Sequence, residues 1–273
     1  MAAVELTHQS LLDDVRSAPD TGCSFWWLGQ HSFIVKIQGH VVYIDPFFAP
    51  WESRHTPPLL LPEEAELANL VLVTHGHGDH LCPESLAGMV TASPGATFVC
   101  PCTERERLTD EAHVPDAQIH CLTAYESLEY GALKVTAIRA KHETFDEHPE
   151  KGFPFLGYVV ECGGCVLYHA GDTIMYDGLR ADLAKWAPFN VMFLPINGRD
   201  AQRYLSGCIG NFTFQEAVEL AGEVGTRLAV PTHYDMFTGN QEDPDKFVSY
   251  LGAKYPGTPS WVGPAGKRVT LSE

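Results

Sequence analysis

Three histidines and one aspartate fall within six residues in Thr74-His75-Gly76-His77-Gly78-Asp79-His80, and only glycines separate them. Imidazole nitrogens and carboxylate oxygens are the donors that borderline divalent metals prefer. Glycine lets a tight loop turn neighbouring side chains toward two adjacent positions, so His75 and His77 can share one ion while Asp79 and His80 serve another. The bland alternative is a polar turn that caps the next helix, but a cap needs one such residue rather than four. Four ligands do not complete two metal sites. The chain must therefore bring further His, Asp or Cys residues from other strand ends.

Three positions meet that demand. His142 follows the expected strand 133–139, Asp172 stands in Ala170-Gly171-Asp172-Thr173 after the strand 165–169, and His233 follows the strand 227–230. A glycine-spaced H-x-H-x-D-H loop, then a later His, a later Asp and a final His, resembles the metallo-β-lactamase superfamily from about Phe25 to His233. The resemblance implies that His75, His77 and His142 hold a first metal, that Asp79, His80 and His233 hold a second, and that Asp172 bridges them. It also implies a catalytic part for Asp79, orienting the attacking water and passing its proton to the leaving alkoxide. Asp45, at a strand end before Pro46, looks like a carboxylate that holds a ligand imidazole from behind. His169 reads as a supporting or core histidine, because the carboxylate of Asp172 already fills the bridging place.

Within the superfamily, Trp27-Leu28-Gly29-Gln30, Ile196-Asn197-Gly198-Arg199-Asp200, Asn211-Phe212-Thr213 and Pro231-Thr232-His233-Tyr234 look most like the L-ascorbate-6-phosphate lactonase group. Its members hydrolyse a sugar-derived lactone at a manganese-dependent site, and the resemblance implies that class of substrate here. Asn197 and Arg199 follow a strand end, where an amide and a guanidinium would orient a hydroxylated or phosphorylated small molecule. A surface ion pair with the adjacent Asp200 is the alternative for Arg199. His31, in Gly29-Gln30-His31-Ser32, looks like part of the superfamily's opening turn. His40, His55, His113, His120 and His148 lack ligand spacing.

Two divalent ions, zinc or manganese before iron, would bring the pKa of bound water from about 15.7 toward about 7, so a metal-bridging hydroxide is the expected nucleophile. No serine or cysteine is needed. Paired ions also stabilise displacement at phosphorus, which keeps a small phosphodiester as the alternative substrate. Oxygen-reducing di-iron relatives resemble this loop with Glu where His77 stands. A non-catalytic metal scaffold would lack a ligand, whereas all seven are present.

Positioning these residues takes strands that end in polar loops. Runs at 24–28, 32–37 and 41–44 read as an antiparallel meander, and a loop with four prolines from Pro50 to Pro62 could overhang a site. Leu70 to Val73 reads as a buried strand leading into the ligand loop, with a helix opened by Pro83 after it. Further strands are expected at 97–100, 157–161 and 190–195, and helices at 179–186 and 214–224, the latter with Thr213 as N-cap. The second half repeats the plan of the first. One domain over residues 1–273 follows, and the resemblance implies an α/β four-layer αββα sandwich with the metals at one edge.

The net charge of −17 disfavours a nucleic-acid partner but not a small anionic substrate, since bound cations restore positive charge locally. Residues 1–16 do not read as a signal peptide, and no apolar run is long enough to span a bilayer. Eight scattered cysteines in a chain of this size read as reduced thiols of a cytoplasmic protein. Cys162-Gly163-Gly164-Cys165 has redox or zinc spacing, but Gly-Gly between two strand-like runs reads as a hairpin turn. A homo-oligomer stays open.

Overall fold

Helix α1 (His8–Ser17) opens the residues, 8–271, that the computed structural model describes. Residues 1–7 of the segment read above for targeting signals lie outside them. The predicted meander follows as β1 (Cys23–Trp27), β2 (Phe33–Ile37) and β3 (His40–Ile44). Three parallel strands extend it: β4 (Leu70–Leu72), then α2 (Pro83–Ala92), β5 (Thr97–Pro101), α3 (Arg105–Asp110) and β6 (Ile119–Leu122).

The second half runs the same course. An antiparallel set, β7 (Ser127–Tyr130), β8 (Leu133–Arg139), β9 (Leu156–Cys162) and β10 (Cys165–His169), gives way after α4 (Leu179–Ala184) to the parallel β11 (Val191–Pro195). After α5 (Ala201–Leu205) and α6 (Phe214–Val224), the parallel β12 (Ala229–Thr232) closes that sheet. Helix α7 (Pro244–Lys254) packs on α6, and β13 (Arg268–Leu271) crosses back to pair with β1. The result is a seven-stranded sheet, β13-β1-β2-β3-β4-β5-β6, and a six-stranded sheet, β12-β11-β10-β9-β8-β7.

Two-residue alternation decides the layers. Val42, Ile44, Leu70 and Leu72 face the inter-sheet core with Val135, Ala137, Tyr158 and Val160. Their neighbours Val41, Tyr43, Val71 and Val73 pack outward with Leu12 and Val15 of α1 and with Leu86 and Met89 of α2. Strands buried on both faces are what parallel pairing between two layers requires. On the far side α6 covers β11 and β12, so the order is helix, sheet, sheet, helix, as expected.

The chain reverses at Cys162-Gly163-Gly164-Cys165 as a hairpin, with φ of +55° and +82° at the two glycines and Cys162 opposite Cys165. Positive φ at both central positions is the demand of a type I′ turn, which explains the glycines without a metal. The last parallel strand lies two residues later than its expected place. Pro231 pairs with Leu194 there, which the sheet tolerates because β12 is its edge strand and a missing N–H breaks no inner ladder. Among the described residues no helix is long and apolar enough to cross a membrane.

Helix α6 begins where its residues dictate. Thr213 accepts from the Glu216 backbone, and the Glu216 carboxylate accepts from the Thr213 N–H at 3.0 Å. Thr213→Ala should cost about 1 kcal/mol in urea denaturation with an unchanged m-value. A midpoint identical to that of the parent would show that this box does not set the helix start.

Candidate metal centre

Asp45 organises the end of β4. Its carboxylate takes the Thr74 N–H and the Thr74 hydroxyl, each at 2.7 Å, where strand becomes loop. The same carboxylate accepts from His80 Nδ1 at 2.7 Å. That bond fixes the tautomer and turns His80 Nε2 away, toward the centre of the cluster. Asp45 therefore holds one imidazole of the candidate cluster in place.

The ligand loop, β8, β10 and β12 all deliver side chains to one edge. Two groups of donor atoms come together there, His75 with His77 and Asp172, and Asp79 with His80 and His233, the donors of each group lying within 4.8 Å of one another. Asp172 stands between them: one oxygen is 3.4 Å from His80 Nε2, and the other is 3.3 Å from His233 Nε2 and 3.9 Å from His75 Nε2. Asp79 lies 3.6 Å from His80 and 3.5 Å from His233. His142 stands beside the first group rather than in it, its ring 5.1 Å from that of His77. His75 Nε2, His80 Nε2, His142 Nδ1 and Asp172 Oδ1 are buried with no hydrogen-bond partner. Buried polar atoms are almost always paired, and donors on a common ion stand roughly 3 to 4 Å apart, so this donor set fits divalent cations.

Charge within the cluster is arranged to match. Burial depresses the pKa of His75, His77 and His142, the last to about 4, so these imidazoles are neutral. Burial would do the same to His80, but Asp172, Asp79 and Asp45 outweigh it and push His80 up to about 9. His233 is raised against its burial by Asp172 and Asp79. Burial acts against ionisation of both aspartates, yet the imidazoliums hold them well below the usual carboxylate range.

The cradle beneath the ligands uses strained backbone. Gln30, Asp45 and His233 hold φ of +50°, +45° and +58°, a left-handed conformation that costs a non-glycine residue about 1–2 kcal/mol. Gln30 donates through Nε2 to Asp79 at 2.8 Å and lies 3.1 Å from His233 Nε2, while its carbonyl takes the His233 N–H at 2.9 Å. It was not singled out from the sequence, although it stands in the quoted Trp27-Leu28-Gly29-Gln30 run. His169 lies outside both donor groups. Its Nε2 reaches the His31 carbonyl at 2.9 Å, its Nδ1 accepts from Gly171, and its ring stacks on His31 at 3.9 Å. Gly171, at φ +60°, passes so close to the Leu156 carbonyl that no side chain fits, which brings Asp172 down onto the cluster.

The cluster opens into a cavity of about 660 Å³ whose walls include His77, Asp79, His142, Asp172 and His233, with Trp51, Ser53 and Asn240 above them. The proline-rich loop does overhang the site, through Trp51 and Ser53. Asn197 and Arg199 do not reach this cavity. Asn197 is fully buried, donating to Asn240 at 2.7 Å and accepting from Asn211 at 3.1 Å, so it positions a wall residue instead of touching substrate. Arg199 makes a two-pronged ion pair with Glu216, both bonds 2.6 Å, and lines a neighbouring groove. The expected local partner, Asp200, instead caps α5 and pairs with Arg203.

Residues 40–234 match the beta-lactamase superfamily domain. The chain is 28% identical over 228 residues to a UPF0173 metal-dependent hydrolase of Thermococcus kodakarensis, covering 84% of this chain and 92% of that protein. It is 31% identical over 228 residues to a UPF0173 metal-dependent hydrolase of Methanopyrus kandleri, covering 81% and 88%. Among solved structures it is similar to a novel metallo hydrolase from the hyperthermophilic archaeon Ignicoccus hospitalis, with a TM-score of 0.73 at 22% identity over 93% of this chain and 100% of that one.

Two outcomes test the geometry. Asp45→Asn should weaken metal affinity about 10- to 100-fold in chelator competition while circular dichroism stays unchanged; undiminished affinity would deny Asp45 its role. Because His80 and His233 carry protons that a cation must displace, loading at pH 7 should release about two protons. Calorimetry in buffers of different ionisation enthalpy reads that number, and affinity should strengthen as pH rises toward about 9.

Proposed function

Since the chain belongs to the beta-lactamase superfamily, among its UPF0173 metal-dependent hydrolases, we propose that it opens a lactone, or a closely related small ester, with two divalent ions. His75, His77, His142 and Asp172 would hold one, and Asp79, His80 and His233 with the shared Asp172 the other. The imidazoles of each group suit zinc or iron, and the carboxylates with added water would admit manganese. Bound cations supply Lewis acidity for a substrate carbonyl and lower the pKa of a coordinated water from about 15.7 toward about 7. The observation that carries the proposal is Asp172, whose two oxygens face donors of both groups.

The chain's own groups do the rest. Asp79 is aimed by the Gln30 amide, so its carboxylate would be placed to accept a proton from an attacking water and return it to a departing alkoxide. Asp45 holds His80, and the stacked His31 and His169 hold the turn that carries Asp172. Among the described residues no lysine or arginine lines the cavity, which supports a carbonyl substrate over the phosphodiester alternative and over a phosphorylated sugar lactone. All eight cysteines are free, in keeping with a cytoplasmic setting.

Metal analysis of protein purified without added ions, followed by reconstitution with zinc and with manganese, tests the centre. About two equivalents and restored lactone hydrolysis are expected with one of them. Asp172→Ala should abolish turnover, whereas His113→Ala should leave it nearly intact; equal losses would count against the assignment. Arg199→Ala should leave KM within about twofold, since its fork is engaged by Glu216. A large rise in KM would return Arg199 to the substrate.

A further inference from the structure

The walls of the cavity away from the ligand cluster carry a chemistry of their own. Their polar members, Ser53, Ser206, Thr238 and Asn240, are neutral. Arg54 and Arg203 lie nearby but outside this lining: Arg54 donates through Nε and Nη1 to the carbonyls of Phe47, Ala49 and Thr56, Arg203 through Nη1 and Nη2 to Asp200 and the Gln241 carbonyl, and the remaining Arg54 Nη2 and Arg203 Nε are buried away from it. A charged group placed here would lose its hydration and meet no counter-charge.

The same walls hold an aromatic shelf. Trp51 is 49% exposed, although large apolar side chains are usually covered. Its indole lies against the ligand loop, where a Cβ at Gly78 would come within 2.9 Å of it. The shelf is rooted in a small packed layer. Phe47 packs 5.7 Å from Trp51 and 6.2 Å from Phe237, and it belongs to a small buried cluster with Ala49, Cys82 and Met236. Ile209, 38% exposed, adds a further apolar surface to the lining. A preorganised aromatic face beside a reactive centre binds an apolar group at little entropic cost.

We infer that the substrate is uncharged away from its scissile bond and carries a compact apolar substituent, aryl or short branched alkyl, that seats on Trp51 and Phe237. This rests on the hydrolase reading above and adds a specificity-determining role for Trp51.

The experiment compares γ-butyrolactone, γ-phenyl-γ-butyrolactone and a phosphorylated sugar lactone as substrates of the metal-loaded protein. It also measures calorimetric binding of 2-phenyltetrahydrofuran, which cannot be hydrolysed. The ratio of kcat/KM for the phenyl lactone over the unsubstituted one should be about 30-fold, should collapse to within about 3-fold in Trp51→Ala, and should survive largely in Trp51→Phe. Binding of the tetrahydrofuran should weaken in the same order. Preference for the phosphorylated lactone, or a ratio and an analogue affinity unchanged in Trp51→Ala, overturns the inference. So does a change of association state in Trp51→Ala with the ratio intact. If no lactone or ester is turned over but the analogue still binds through Trp51, the choice of scissile bond fails and the aromatic specificity stands.

Discussion

Leaving a buried imidazole nitrogen or carboxylate oxygen without a partner costs about 1–3 kcal/mol, and this protein does so at His75, His80, His142 and Asp172 within one cluster. Much around that cluster serves to hold those atoms facing one another. Asp45 fixes a single tautomer of His80, Gln30 ties Asp79 to His233, and the stacked pair His31 and His169 supports the turn that carries Asp172. Three residues accept left-handed backbone in the process. Strain of this kind persists only where the surrounding packing over-determines it, and the two sheets supply that packing.

The two halves of the chain contribute to the centre by the same device. In each, an antiparallel set turns into parallel strands, and the carboxyl ends of those strands face one edge. One half provides Asp45 and the run from His75 to His80. The other provides His142, Asp172 and His233. Neither half alone completes a donor group that includes Asp172 or His233, so the centre exists only when the sheets are face to face. Ligands at the carboxyl ends of parallel strands are the general expectation for open α/β sheets.

Charge is sorted with equal economy. Carboxylates crowd the candidate cluster, where imidazoles answer them, while the upper walls of the cavity are neutral and aromatic. Arg199, Arg203 and Arg54 lie outside that lining and donate to Glu216, to Asp200 and to backbone carbonyls. In the proposed reading a cavity organised in this way would separate reaction from recognition, with the scissile bond at one end and its substituent at the other.

Short-range signals were legible without any structure. The glycine-spaced ligand loop, the hairpin at Gly163-Gly164, the Thr213 cap and the buried strands each depend on a few adjacent residues, so their types and spacing predicted them. The carboxylate behind His80 was also legible, because a strand end before proline is a local feature. Other elements were not. The strand β7 is four residues long with no buried position, β13 has no partner within its own neighbourhood, and β12 was displaced by two residues because its register comes from β11. At the site, Asn197 and Arg199 had the right chemistry and a plausible strand end, yet tertiary packing gave them Asn240, Asn211 and Glu216 as partners. Trp51 lay in a loop that sequence could only describe as overhanging. Residue type and local spacing determined which groups could ligate a metal; which of the remaining polar groups face the cavity was decided by partners far away in the chain, and those partners meet only when the sheets close.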